Sequence, residues 1–213
     1  MNIIISDLDE PIISFMDLPE LVNLMQTNKN YYEKIKRLPL IHEWKNLKKN
    51  YRKFDAYTIF VYACLNGYMH YSKSLLNRYD KINIHDQNEY AFTQCCIRGH
   101  IIMAKWLINL GENHGYGKIN LHGIDERIFR ISCERGHFEV AKWLIDLGEN
   151  HGYKRINIHA ANDSGFFYTF LNEHYDIVKW LIDLGENHGY GKINQEFVNY
   201  FNNRNKKLKI EMI

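Results

Sequence analysis

The sequence predicts an all-α protein built as a repeat solenoid of about four helix-turn-helix units with long connecting loops. The first observation is a segment that recurs three times, starting at residues 105, 142 and 179, with a spacing of 37 residues. The second is the helical spacing of apolar residues in each copy. The third is the low count of three prolines in 213 residues. Stacking is required because one such helix pair cannot bury both of its apolar faces.

The second helix of each unit is predicted over residues 101–110 and at the equivalent positions of the later copies. Ile102, Trp106, Leu107 and Leu110 follow the helical period. A glycine comes next in every copy, where it is expected to supply the left-handed residue that ends a helix. These glycines are Gly111, Gly148 and Gly185.

The first helix of each unit is predicted to begin at an N-cap Asn or Asp followed by an acidic residue. The predicted N-caps are Asn88, Asp125 and Asn162. The helix is expected to end near Gly99 or Gly136. A fainter copy precedes these three at residues 60–76, and its loop is shorter by about five residues. The predicted units are therefore residues 55–82, 88–119, 125–156 and 162–193, within a repeat region of residues 51–194.

The unit resembles the ankyrin repeat, whose pattern contains A-A-x-x-G-H followed by V-V-x-x-L-L-x-x-G. Here these stretches read Cys95-Cys96-Ile97-Arg98-Gly99-His100 and then Ala104-Lys105-Trp106-Leu107-Ile108-Asn109-Leu110-Gly111. The chain departs from the family at the T-P-L-H turn, and Glu173 replaces the Gly in the fourth unit. The repeated Glu-Asn-His-Gly-Tyr insert resembles the ankyrin proteins of mimivirus-type giant viruses. The resemblance implies that the chain binds a protein on its concave face or on its loops. It also implies a location in the cytoplasm of a host cell, with the nucleus as an alternative, and a chain that is not secreted.

The first fifty residues lie outside the repeats and resemble an F-box. The resemblance is carried, in order, by residues 13–24, 26–35 and 39–47. It implies docking on a Skp-family adaptor of a cullin-RING ubiquitin ligase. The residues it assigns to that docking are Leu18, Leu21, Leu24, Tyr31 and Trp44. The alternative is a helical cap over the apolar face of the first repeat, which every solenoid needs at its ends.

The last residues, 195–213, are predicted to form a capping helix followed by a basic tail. The helix would cover residues 195–201 and bury Phe197, Val198 and Phe201. The basic residues beyond it are Arg204, Lys206, Lys207 and Lys209.

The chemistry-bearing residues fall into repeat columns rather than into a catalytic cluster. Histidines one repeat apart lie about 10 Å from each other by helix spacing, too far to share a zinc ion. Each is expected to bond a loop or a neighbouring turn, and no metal site is expected. The four cysteines are predicted to be small buried core residues, and Trp106, Trp143 and Trp180 to pack in the core or between repeats. No phosphate-binding loop or nucleophile–base pair is found, so the chain is expected to be a non-enzyme without a cofactor.

The long loops, residues 112–118, 149–155 and 186–192, allow two interpretations. Tyr beside Lys or Arg is typical of protein-binding hot spots, which favours a target-binding surface. Near-identity of the three copies favours loops that pack on each other. The candidate target-binding residues are His114, Tyr116, Lys118, His151, Tyr153, Arg155, His188, Tyr190 and Lys192.

The expected function is protein–protein interaction, as a receptor that links a target protein to a Skp/cullin-type ubiquitin ligase. The alternative is an ankyrin binding protein whose N-terminal helices only cap the stack. A net charge of +2 argues against nucleic-acid binding, and the lack of an 18-residue apolar run argues against a membrane span. A monomer is expected.

Overall fold

The computed structural model describes residues 55–79 and 81–211, with residues 33, 36–37 and 41–43, and gives side chains as far as residue 204. All regular structure in these residues is helical, as predicted. The chain divides into two compact units, Met1–Asn83 and Ile84–Ile213. The five predicted adaptor-binding residues, Leu18, Leu21, Leu24, Tyr31 and Trp44, lie outside the described residues.

Between residues 55 and 79, the first unit forms a helix pair, α1 (Ala56–Leu65) and α2 (Met69–Arg78). Asp55 caps α1 because its carboxylate accepts the Thr58 N–H at 2.8 Å. The pair encloses the fully buried Phe60 and Cys64. A short upstream stretch also packs in this unit, since Ile41 is fully buried and Glu43 accepts the Tyr71 N–H at 2.8 Å in the first turn of α2. Burial raises the pKa of Glu43.

The second unit repeats the pair three times and adds a last helix. Its helices are α3 (Asp86–Ile97), α4 (Ile101–Asn113), α5 (Gly123–Glu134), α6 (Phe138–Asn150), α7 (Ala160–Leu171), α8 (Tyr175–Asn187) and α9 (Gln195–Glu211). The inner helices α3, α5 and α7 begin 37 residues apart. They lie side by side in that order, and each packs against the outer helix that follows it. The sequence period is therefore also the structural period of this unit.

Aromatic side chains fill the space between successive pairs. Phe92 and Phe129 are buried in the inner helices. Their rings lie 6.2 Å and 6.3 Å from those of Trp143 and Trp180 in the following pair. The prediction that these tryptophans pack between repeats is confirmed. The cysteines are buried free thiols, also as predicted, and burial raises the pKa of Cys96 and Cys133.

The inner helices end in Schellman motifs. The His100 N–H bonds the Cys95 carbonyl at 2.8 Å and the Gly99 N–H bonds the Cys96 carbonyl at 3.1 Å. Gly99 and Gly136 both have a φ of +75°. Glu173 occupies the same position with a φ of +64°. At Gly99 and Gly136 the histidine of the following pair lies against the glycine, whereas the Glu173 carboxylate lies 3.7 Å from the Arg204 guanidinium of α9.

The glycines that follow the predicted outer helices do not end them. Gly111 lies inside α4, which continues to Asn113, and Gly148 and Gly185 lie inside α6 and α8 in the same way. The prediction of a left-handed residue is wrong at these three positions. Their lack of a side chain serves close packing instead. A Cβ on Gly111 would lie 2.3 Å from the Gly117 carbonyl oxygen.

The predicted N-caps are also corrected. Asn88, Asp125 and Asn162 lie two residues after the start of α3, α5 and α7, with φ values of +56°, +50° and +56°. Each is the middle residue of three that form a left-handed turn before the right-handed helix starts. Asn and Asp tolerate this conformation better than most residues, which explains their presence without an N-cap role.

Replacing Ile124 with asparagine is expected to stabilise the fold by about 1 kcal/mol. Ile124 is β-branched, has a φ of +51° and is 69% exposed, so little buried contact is lost. The matched control is Ile102→Asn, because Ile102 is 74% exposed in an ordinary helix. That substitution is expected to be neutral or destabilising. Urea unfolding of the variants measures both effects, and equal shifts would contradict the strain at Ile124.

The last helix packs on α7 and α8. Phe201 is buried, and its ring lies 5.6 Å from that of Phe170. Phe197 and Val198 are half-buried. The helix runs on to Glu211, so the basic residues predicted to form a tail belong to the helix.

Candidate functional site

A buried carboxylate anchors the loop that follows each helix pair of the second unit. Glu89, Glu126 and Asp163 end the left-handed turns and are only 7–8% exposed. Each bonds the Nδ1 of the histidine four residues earlier and accepts a backbone N–H from the following loop. The histidines are His85, His122 and His159, and the backbone donors are Asn120, Asn157 and Asn194. We call each such His–carboxylate pair a clamp.

The outer nitrogen of the clamp histidine holds the loop at a second point. His85 Nε2 bonds the Tyr116 carbonyl at 2.6 Å and His159 Nε2 bonds the Tyr190 carbonyl at 2.9 Å. In the described residues, His122 Nε2 is buried without a partner. The sequence explains the difference, since Lys154 stands where the other loops have Gly117 and Gly191. Those glycines have φ values of +93° and +89°, which a lysine rarely adopts.

The second histidine column also bonds a neighbouring turn. His137 Nε2 bonds the Ile97 carbonyl at 2.9 Å, at the end of the preceding inner helix. The expectation of structural histidines is confirmed for His85, His137 and His159. Within the described residues, no three His, Cys, Asp or Glu side chains come close enough together to hold a metal ion.

The three long loops form what we call the loop ladder, residues 112–118, 149–155 and 186–192. Lys118 donates to the Gly152 carbonyl at 2.8 Å and lies 4.0 Å from the centre of the Tyr153 ring. Arg155 donates to the His188 carbonyl at 2.7 Å and lies 3.7 Å from the centre of the Tyr190 ring. The loops therefore pack on each other, which is one of the two interpretations that the sequence allowed.

Two tyrosines, Tyr153 and Tyr190, lie inside the ladder. The Tyr190 hydroxyl donates to Glu149 at 2.8 Å. Tyr153 is only 9% exposed, and burial, together with Glu112, raises its pKa. Burial and Glu149 raise the pKa of Tyr190 as well. Both tyrosines are therefore internal parts of the ladder.

The remaining candidates of the ladder face solvent. His151 and His188 lie near acidic residues of their own helices, at 3.2 Å from Asp146 and 3.3 Å from Asp183. In the described part of the chain, Tyr116 of the first loop has no cation over its ring, unlike Tyr153 and Tyr190. Lys192 of the last loop makes no hydrogen bond or ion pair with the described residues. The exposed candidates are His114, Tyr116, His151, His188 and Lys192.

A groove that the sequence did not predict lies between the first turns of α3 and α5. Its volume is about 530 Å³. Its lining includes Gln87, Asn88, Tyr90, Thr93, Ile124 and Arg127. The groove has no motif because it depends on residues that differ between copies. The sequence did contain one indication of the groove. Thr93, Arg130 and Phe167 occupy the same position in successive repeats but differ greatly in size.

The clamp at His85 predicts a pH-dependent contribution to stability. Burial lowers the pKa of His85, but the bonds to Glu89 and the Tyr116 carbonyl more than offset it, and the net pKa is raised. A histidine whose pKa is higher in the folded state than in the unfolded state stabilises the fold fully at pH values below the unfolded-state pKa of about 6.5. This stabilisation is lost as the pH rises through the folded-state pKa. The free energy of unfolding of wild type relative to His85→Gln should therefore fall between about pH 5 and pH 8. Chemical unfolding across that range tests this, and a difference that rises with pH would contradict it.

Comparison with protein-family models, curated proteins and solved structures finds no match to this chain. In the described residues, no helix is long and apolar enough to cross a membrane. The function is therefore argued from the residues of the ladder and the groove.

Proposed function

We propose that this chain is a non-enzymatic protein-binding module of the ankyrin type. Its repeats hold a target protein, and residues 1–50 attach that target to a Skp-family adaptor of a cullin-type ubiquitin ligase. Catalysis then belongs to other subunits, and this chain contributes proximity, which raises the effective concentration of the target. The recurring helix pairs and their Gly-His helix ends support the ankyrin assignment.

The observation that carries the target-binding role is the set of hydrogen bonds that hold the loop ladder. Each loop is fixed by a clamp, and successive loops are joined by Lys118 and Arg155. Loops held in place before binding lose little conformational entropy when a partner docks. Tyr116 and Lys192 then offer an aromatic ring and a cation that the ladder itself does not use, and such groups are typical of hot spots.

Site-specific photocrosslinking tests this role. A photoreactive amino acid replaces Tyr116 in one variant and Ile102 in the control, since Ile102 is also exposed but lies on an outer helix. We expect one protein to crosslink at position 116 in cells and not at position 102. Lys192→Glu in the same chain should reduce that crosslink. The same products from both positions would contradict a target on the ladder.

Co-purification with a Skp-family adaptor tests the ligase link. Wild type is compared with the double variant Leu18→Asp/Leu21→Asp, after circular dichroism and the melting temperature show that the variant is folded. Adaptor bound by wild type and lost by the folded variant would support the ligase receptor. Absence of adaptor from wild type would overturn it.

A second candidate function is a binding protein whose N-terminal residues only cap the helix pair. It is favoured by the buried Ile41 and by the Glu43 carboxylate that caps α2. Under this candidate wild type retains no adaptor, and Glu43→Gln should lower the melting temperature because the Tyr71 N–H loses its charged acceptor. Specific retention of the adaptor by wild type, or an unchanged melting temperature of Glu43→Gln, would contradict this candidate.

A further inference from the structure

The interval between α3 and α5 and the interval between α5 and α7, meaning the spaces that separate these neighbouring inner helices, differ in two residues at equivalent repeat positions. Between α5 and α7, the Arg130 side chain reaches across the interval and donates to the Ser164 hydroxyl at 2.9 Å. Its Nε also donates to the Asp125 carbonyl at 2.7 Å. The residues 37 positions earlier, between α3 and α5, are Thr93 and Arg127. Threonine is too short to make the same crossing, so the space that Arg130 fills in one interval is open in the other.

The open interval is the groove of about 530 Å³. Thr93 and Ile128 form its buried part, and Tyr90 and Ile124 form its exposed part. Arg127 is half-buried and makes no hydrogen bond or ion pair with any residue that the structure describes. A cation in such a place has lost part of its hydration without gaining a partner, which favours an incoming anion.

The other ionisable groups of the lining already have hydrogen-bond partners. His85 and Glu89 bond at 2.8 Å within their clamp, and Glu89 also accepts the Asn120 N–H. Among the ionisable groups of the lining that the structure describes, Arg127 is therefore the one without a bonded partner. The amides of Gln87 and Asn88 and the Thr93 hydroxyl add neutral hydrogen-bonding groups to the same lining.

We propose that this groove receives the carboxylate of an Asp or Glu side chain on an extended segment of the partner protein, with Arg127 as its ion-pair partner. The inference rests on the proposed function and specifies the chemistry of the partner. Guanidinium and carboxylate match in geometry and can form two parallel hydrogen bonds. Ile124 and Tyr90 provide apolar contacts for the aliphatic part of the residue.

A carboxylate fits the groove better than a phosphate. Sites for phosphorylated residues usually contain several arginines, because the group carries nearly two negative charges. Here one arginine faces the groove, and the Glu89 carboxylate lines the same space. The second interval offers no equivalent site, since Arg130 is already bonded across it.

Selection from a phage-displayed library of random peptides on the full chain tests the proposal. We expect the enriched peptides to share an Asp or Glu at one position. A synthetic peptide with that residue is then titrated by fluorescence anisotropy. Arg127→Gln should weaken its binding by roughly tenfold to a hundredfold, as should Glu→Gln or Asp→Asn in the peptide. The control Arg98→Gln removes an exposed arginine outside the groove and should change nothing.

A second variant tests the shape of the site. Thr93→Arg/Arg127→Ser places the residue types of Arg130 and Ser164 in this groove, and it should abolish binding while the helical circular dichroism is kept. Four results would each overturn the proposal. They are failure to enrich any peptide, enriched peptides without a shared acidic position, unchanged peptide binding by Arg127→Gln, and tighter binding of a phosphoserine version of the peptide. If peptide binding is unchanged in both groove variants but is lost in Lys192→Glu, the groove proposal fails and the target-binding role of the loop ladder is supported. Groove binding without a crosslink at position 116 would overturn the ladder's role alone.

Discussion

Replacing Gly136 with alanine is expected to destabilise the fold by about 2–4 kcal/mol. Gly136 has a φ of +75°, which costs an alanine about 1 kcal/mol. Its added Cβ would also lie 2.5 Å from Cε1 and 2.7 Å from Nδ1 of the His174 ring. The ring would have to leave its place at the start of α8, where the His174 N–H bonds the Thr169 carbonyl. Urea unfolding at constant pH measures the loss.

Gly115→Ala separates the two causes of this loss. Gly115 has a φ of +76°, and a Cβ there meets nothing within 4 Å. Its substitution should cost only the conformational part, about 1 kcal/mol. In the double variant Gly136→Ala/His174→Ala, removal of the ring should recover most of the additional loss. Equal losses at Gly115 and Gly136 would show that the close approach of the histidine ring carries no energy.

The periodic features of the fold could be predicted from the sequence because they depend on residues that recur. Trp143 and Trp180 each pack against the phenylalanine of the preceding inner helix, and the cysteines are buried, so residue type and period are enough to describe them. The outer helices were placed correctly except at their ends. Gly111 shows why, since glycine serves a left-handed helix end and a close backbone approach equally well. Spacing alone does not distinguish the two.

The left-handed turns could not be predicted for a related reason. Asn88 and Asp125 are residue types that favour both an N-cap and a positive φ. The deciding contact is the buried carboxylate one residue later, which bonds a loop 31 residues away. That long-range bond fixes the turn, and local propensity does not report it.

The candidate site was predictable only in part. Residue types at Lys118 and Tyr153 suited both loop packing and target binding, and the structure shows the packing. The groove depends on the difference between Thr93 and Arg130, so a search for repeated residues passes over it. Binding surfaces on repeats arise where copies differ, whereas the fold is encoded where copies agree.

Replacing Asp163 with alanine is expected to cost about 2–4 kcal/mol and to loosen the end of the second unit. Its carboxylate is 7% exposed, bonds His159 Nδ1 at 2.6 Å and accepts the Asn194 N–H at 2.9 Å. Both groups would lose their partner inside the protein. Asn194 also caps α9, since its side chain accepts the Glu196 N–H at 2.9 Å. The effect should therefore reach α9, and hydrogen exchange of its amides should accelerate more than that of α5.

Asp125→Ala is the matched control for this substitution. Asp125 also lies in a left-handed turn, with a φ of +50° against +56° at Asp163, but its side chain is exposed. Any cost of placing alanine in that conformation is common to both variants, so the difference between them measures the clamp. Asp163→Asn should fall between wild type and alanine, because an amide oxygen still accepts one bond but carries no charge. Equal stability of Asp125→Ala and Asp163→Ala would mean that strain in the turn, rather than the buried carboxylate, sets the cost.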